Sequence, residues 1–338
     1  MKTQIYGTFG PACKKQEILE KMIQSGMTGM RLNLSHTTLE KSKEYIENYR
    51  NAAKNYNIKP QILIDMQGPE LRIGEVEEVV LTEGKFIEFE LKEVSKTEMF
   101  HKVSIPKEVM ETLEVGMEVL LDDGKIRVQI TEVCEQEAVG KVLIGGVLKS
   151  HKSIKIVDVN VEMPILTTHD VENIRQAKEY GVTALMQPFV FSGEDLKKVR
   201  KILKEENARD IQIFAKIENR IGVENIDNIL PEADCIVIAR GDLGNDMPLW
   251  ELPVVQKKIE EACKKHKKPY MVVTQMLASM EQNPIPTRAE VSDIFHAVYH
   301  GAEAVMVTGE TAVGKYPVEV IKYLTNTAEA AIQYKNSK

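Results

Sequence analysis

Ile211-Gln212-Ile213-Phe214-Ala215-Lys216-Ile217-Glu218 and, further along, Cys235-Ile236-Val237-Ile238-Ala239-Arg240-Gly241-Asp242 share one pattern. Each is an apolar run of strand length that ends in charged side chains, and a helix-period segment near 221–230 separates them. Runs this continuously apolar belong to strands covered on both faces, as in a parallel sheet flanked by helices. The pattern recurs outward in both directions, at 3–8, 29–34, 61–66, 183–189, 270–275 and 304–308. Helical segments follow these strands near 15–25, 38–55, 170–180, 193–206, 221–230, 251–266, 287–300 and 316–334. Ser192 before Gly193-Glu194-Asp195, Pro286-Thr287 and Pro317 mark three of the helix starts. Eight such repeats predict an α/β fold of the (β/α)8 or TIM-barrel kind.

The period breaks once, between the third strand and the third helix. Residues 73–155 read instead as short alternating strands, with turn signals at Asp122-Asp123-Gly124 and Gly145-Gly146. The expected organisation is a catalytic barrel from 1–72 and 156–338, with 73–155 a small all-β insert. Loops after barrel strands lie on the functional face, so such an insert can serve as a lid.

Composition narrows the function. The 338 residues are 43% hydrophobic and 28% charged, as in an ordinary globular protein. The formal charge of −7 disfavours nucleic acid as the main partner. No apolar run approaches the roughly 20 residues of a membrane helix, and the start lacks a secretory core. Cys13, Cys134, Cys235 and Cys263 are widely separated, which argues for a reducing, cytoplasmic setting. The seven histidines show no zinc spacing.

Charged and polar groups collect at the carboxyl ends of six strands, which converge on one mouth in a barrel: Arg31-Leu32-Asn33-Leu34-Ser35-His36, Asp65, Lys216-Ile217-Glu218, Arg240-Gly241-Asp242, Thr274-Gln275 and Thr308-Gly309-Glu310. Lys216 and Glu218, two apart, face the same side of their strand. Alone, the pair reads equally well as a structural ion pair. Asp242 on the neighbouring tip adds a second hard oxygen donor, and Glu218 with Asp242 suits Mg2+ or Mn2+. Lys216 beside that metal would neutralise charge developing on a substrate oxygen, and Gly241 would let its N–H approach an anion. Arg31 offers a fork for phosphate or carboxylate. Asn33, Ser35 and Asp65 form a second, less charged oxygen cluster matched to a monovalent cation or a phosphate counter-charge. Arg72, at the junction with the insert, could reach a nucleotide phosphate or pair with Glu70.

With these segments in order, the sequence resembles the pyruvate kinase family. The resemblance rests on Gly7-Thr8-Phe9-Gly10-Pro11-Ala12, Arg31 to His36, Gly68-Pro69-Glu70-Leu71-Arg72, Lys216-Ile217-Glu218-Asn219 and Ala239 to Gly244. Thr274-Gln275-Met276-Leu277, Pro286 to Asp293 and Gly309-Glu310-Thr311-Ala312 complete it. It implies phosphoryl transfer from phosphoenolpyruvate to ADP, giving pyruvate and ATP. Phosphoenolpyruvate would be held by Arg31, Lys216, Gly241, Asp242 and Thr274, with Lys216, Arg31 and Thr274 catalytic. Glu218 and Asp242 would ligate Mg2+ or Mn2+. Asn33, Ser35, Asp65 and the Met66 carbonyl would hold K+, which Glu70 also implies. Asn33, Leu34, Ser35, His36, Arg72 and Lys152 would contact the nucleotide.

Several positions depart from the family pattern. Gln67 replaces a usual Lys, Met66 a Thr, Thr37 a Gly, and Gln187-Pro188 a small residue and Ser. Ser153-Ile154-Lys155 stands for Gly-Val-Asn and Asn245-Asp246 for Val-Glu. The sequence stops soon after the eighth helix, so a short form without the C-terminal domain, and without activation through it, is the expectation; a homo-oligomer stays open. Two other readings remain: a paralogue that binds metal and an enolpyruvate-like ligand without turnover, and a metal-dependent lyase or aldolase acting through an enolate.

Overall fold

A computed structural model describes residues 3–35, 37–91, 101–157, 159, 161 and 163–338. Among them the chain forms two compact units, Met1–Gly68 with Ile165–Lys338, and Pro69–Pro164.

The first unit is a closed barrel of eight parallel strands. It begins with β1 (Gln4–Thr8), β2 (Gly29–Asn33) and β3 (Gln61–Asp65). The second unit then supplies β4 (Val79–Leu81), β5 (Phe86–Glu90), β6 (His101–Ser104), β7 (Glu118–Leu121), β8 (Ile126–Val133), β9 (Glu137–Ile144), β10 (Gly146–Leu148) and β11 (Ile154–Ile156). The barrel resumes with β12 (Ala184–Gln187), β13 (Gln212–Ile217), β14 (Cys235–Ala239), β15 (Tyr270–Val273) and β16 (Ala304–Met306). Its cyclic order is β1-β16-β15-β14-β13-β12-β3-β2, with parallel pairing throughout. All eight strands expected from the apolar runs are present.

Alternation divides each strand between two cores. Outward residues such as Ile62, Ile64, Ile213, Ile236 and Val272 pack with the helices. Inward residues fill the barrel: Tyr6, Leu63, Ala184, Met186, Phe214, Cys235, Val237, Met271, Val273 and Met306 form one buried cluster. This apolar plug makes the interior a packed core rather than a pore. Only above it, toward the carboxyl ends, do charged side chains turn inward.

The expected start signals act as caps. The Asp195 carboxylate accepts from the N–H groups of Phe191 and Ser192, and Thr287 with Glu290 closes a reciprocal capping box on Arg288–Tyr299. Pro317 opens Pro317–Asn336. The segment 221–230 is not one helix; it breaks at Asn225 into Arg220–Glu224 and Ile226–Ile229. The Asn225 side chain donates to the Phe191 carbonyl, a tertiary tie that sequence periodicity does not carry.

In the second unit β4 and β10 pair alone, and the order β11-β7-β8-β9-β5-β6 forms a six-stranded sheet. The unit is wider than 73–155 because its two ends pair: Ile73 N–H donates to Lys152 O and Ile154 N–H to Leu71 O. It is not purely β, since Lys107–Met110 forms one helical turn. Asp122 and Asp123, both with positive φ, make the expected turn between β7 and β8. Gly145-Gly146 does not turn a hairpin. The chain there passes from one sheet to the other, and a Cβ on Gly145 would lie 2.4 Å from the Leu81 carbonyl oxygen.

Candidate active site

Four inward side chains meet above the apolar plug of the barrel. Arg31 on β2 grips Asp65 on β3 with Nε at 2.8 Å and Nη2 at 2.6 Å from the same oxygen. Lys216 on β13 lies 3.6 Å from the other Asp65 oxygen and 3.1 Å from Glu218 Oε2. Glu218 Oε1 accepts the Phe189 N–H at 2.8 Å, from the loop after β12. Asp242, in the first turn of Arg240–Asn245, is close enough for its charge to act on both Lys216 and Glu218. Two cations therefore face three carboxylates.

The electrostatics follow from burial. For Asp65, burial alone would favour the neutral acid, but Lys216 and Arg31 overcome it and hold the carboxyl below its usual 3.8. Burial would likewise depress Lys216, yet Asp65, Glu218 and Asp242 keep the ammonium charged well above its ordinary range. Glu218 shifts upward: burial and the Asp242 charge outweigh the help of Lys216. Its Oε2 is buried and, apart from the Lys216 ion pair at 3.1 Å, makes no well-directed hydrogen bond among the described residues. Two carboxylates that repel each other, one with a buried oxygen held by an ammonium ion pair and no well-directed hydrogen bond, fit a hard divalent cation. Asp65 Oδ1 is similarly without a hydrogen bond.

The sequence reading had set Asp65 apart with Asn33 and Ser35. Asn33 does pair in register with Asp65, but Asp65 also joins Arg31 to Lys216, so the two oxygen clusters share one carboxylate. Asn33 Oδ1 accepts the Ser35 N–H at 3.2 Å. The Met66 N–H donates to Met186 O. Leu34 is fully buried, gives its N–H to the Asp65 carbonyl and holds its own carbonyl 3.2 Å from His169 Nε2, so it presents little to a ligand. His36 lies outside the described residues.

On the opposite wall, Thr274 follows β15 with φ 70°, and Gln275 has φ 52°. The Thr274 hydroxyl is buried and lacks a hydrogen-bond partner among the described residues. Gly241 faces it: a Cβ built there would lie 3.8 Å from Thr274 Oγ1. Glu310 proves structural, since its buried carboxylate accepts the N–H groups of Thr308 and Leu277 and ties two strand ends together.

Within the Pro69–Pro164 unit, Arg72 Nη2 pairs with Glu70 at 2.8 Å while Nη1 donates to His151 O at 2.6 Å. Lys152 lies 2.8 Å from Asp122. Sequence reasoning missed the Phe189 N–H. It also missed Asp170, which accepts the N–H groups of Gln67 and Gly68 and fixes the loop after β3. Thr167, three residues before Asp170, forms a capping box with it and was the available signal.

Comparison with known proteins identifies the family. A family model described as "Pyruvate kinase, barrel domain" matches residues 1–321. Pyruvate kinases of Bacillus licheniformis and Geobacillus stearothermophilus are 39% and 40% identical over 342 aligned residues, which cover 100% and 99% of this chain. The chain spans 58% of the length of each of these relatives. The crystal structure of a pyruvate kinase from Cryptosporidium parvum superposes with a TM-score of 0.93 at 33% identity, covering 98% of this chain and 69% of that one. This chain belongs to the pyruvate kinase family.

Proposed function

We propose that the chain carries the catalytic barrel of a pyruvate kinase, which moves the phosphoryl group of phosphoenolpyruvate to ADP. The supporting observation is the meeting of Arg31, Asp65, Lys216 and Glu218 at one barrel mouth, within the field of Asp242.

Each residue has a distinct task in this reading. Arg31, fixed by Asp65, presents its guanidinium to the phosphoryl oxygens. Lys216, charged at neutral pH, neutralises the enolate oxygen left when the phosphoryl group departs, so that charge is met without solvent rearrangement. The Gly241 N–H and Thr274 hydroxyl bind the substrate's remaining oxygens, and Thr274 stands where the enolate carbon is protonated. Glu218 and Asp242 would hold a divalent cation, Mg2+ or Mn2+, that supplies Lewis-acid stabilisation to substrate oxygens. Asn33, Ser35, Asp65 and the Met66 carbonyl would hold K+. Asn33 and Ser35 serve the nucleotide.

Gln67 in place of a usual Lys favours a second reading, a paralogue that binds an enolpyruvate-like ligand without turnover. A lactate-dehydrogenase-coupled assay with phosphoenolpyruvate, ADP and Mg2+ decides between them. The proposal expects turnover in K+ that falls when Na+ replaces it; tight phosphoenolpyruvate binding with no pyruvate formed supports the paralogue.

A further inference from the structure

Arg240 is the first residue after β14, yet its guanidinium points away from the cluster of Lys216 and Glu218. Nη1 contacts both oxygens of Asp293, on the helix Arg288–Tyr299, at 2.9 and 2.7 Å. Nη2 donates to the Thr274 carbonyl at 2.7 Å, and Nε lies 3.3 Å from the Val273 carbonyl. The side chain is 11% exposed, so these contacts account for most of its donors.

The backbone it grips is unusual. Thr274 and Gln275 are consecutive non-glycine residues in the left-handed region. For a β-branched residue this is a true outlier that persists only where its surroundings impose it. The consequence is visible at the side chain. Thr274 Oγ1 is held in the barrel, buried and without a partner among the described residues, facing Gly241. The residue next to Gly241 is Arg240 itself, so one guanidinium links both substrate-facing positions.

We propose that Arg240 and Asp293 form a positioning pair: Asp293 orients the guanidinium, which holds the carbonyls of Val273 and Thr274 and thereby aims the Thr274 hydroxyl at the reacting substrate. Neither residue touches substrate. Loss of the pair lets Thr274 relax to negative φ and swings Oγ1 away from Gly241. The proposal rests on the pyruvate kinase reading of the same mouth.

Arg240→Lys keeps the charge but loses the fork, and Asp293→Ala removes the orienting carboxylate from a side chain that is 36% exposed. Each should lower kcat by about 10- to 100-fold, as loss of an orienting partner commonly does. The KM for ADP should stay within about twofold. In a Thr274→Ala background the same changes should cost less than about twofold, because effects routed through one group are not additive. Crystal structures of both variants should show Thr274 outside the left-handed region. Full multiplicative losses in the Thr274→Ala background, or a Thr274 that keeps its φ and Oγ1 position in both variants, overturn the proposal. Should the parent protein show no turnover, the functional reading fails, while the variant structures still decide whether the pair positions Thr274.

Discussion

Replacing Asp65 by Asn tests the electrostatic core of the mouth without making a cavity, since the two side chains are nearly the same size. Asp65 is 5% exposed and serves two cations, Arg31 at 2.6 Å and Lys216 at 3.6 Å. The amide keeps one acceptor for Arg31 but removes the charge that compensates both. Breaking a buried pair by removing one partner costs about 3–5 kcal/mol, because the remaining charge stays desolvated. Lys216 retains Glu218, which places the expected loss near the lower end, about 3 kcal/mol. For a barrel of this size that corresponds to a fall in Tm of roughly 6–12 °C. Differential scanning calorimetry at pH 7, without added divalent metal or substrate, measures it directly. A Tm within about 1 °C of the parent would show that Asp65 does not hold these cations, and the account of the mouth would fail with it.

Three further outcomes follow from individual contacts. Gly241→Ala should leave the fold intact, since the added Cβ meets Thr274 only at 3.6 Å or more; a Tm within about 2 °C of the parent together with a raised KM for phosphoenolpyruvate would show that the missing side chain makes room for substrate. Glu290 is held below its usual 4.5 because hydrogen bonds from Ser279 and Thr287 outweigh the burial that would raise it. Its folded value is depressed, so its stabilisation of about 1–2 kcal/mol is fully present above pH 4.5 and is lost as pH falls through the lower folded value. Glu290→Gln should therefore lower Tm at pH 7 and converge with the parent under acid, and urea denaturation at several pH values checks the convergence. Glu218→Gln should weaken Mn2+ binding at least about tenfold, read by electron paramagnetic resonance of free Mn2+; unchanged binding would remove Glu218 from the metal site.

The barrel was legible because its strands are buried on both faces, which leaves runs such as Ile236-Val237-Ile238-Ala239 with little polar interruption. Lys216 and Glu218 were legible for a simpler reason: a spacing of two on a strand fixes a shared face. That Asp65 also meets Arg31 and Lys216 was not legible, because register from β2 and β3 through β12 to β13, not local spacing, decides its neighbours. The break at Asn225 and the sheet change at Gly145 likewise depend on groups distant in sequence, the Phe191 carbonyl and the Leu81 carbonyl. Thr274 was expected at the mouth, but nothing local announced its positive φ; the guanidinium bonded to its carbonyl comes from the end of the preceding strand, β14, and pairs with Asp293 on a later helix.

The central claim is that the charges gathered above the barrel's apolar plug transfer a phosphoryl group from phosphoenolpyruvate to ADP. It is tested most directly by phosphorus-31 NMR of that mixture with Mg2+ and K+, comparing the parent with Lys216→Met. The account predicts growth of the ATP resonances with the parent and a rate at least about a thousandfold lower with the variant. ATP formation at the parent's rate in the absence of the Lys216 ammonium would contradict it.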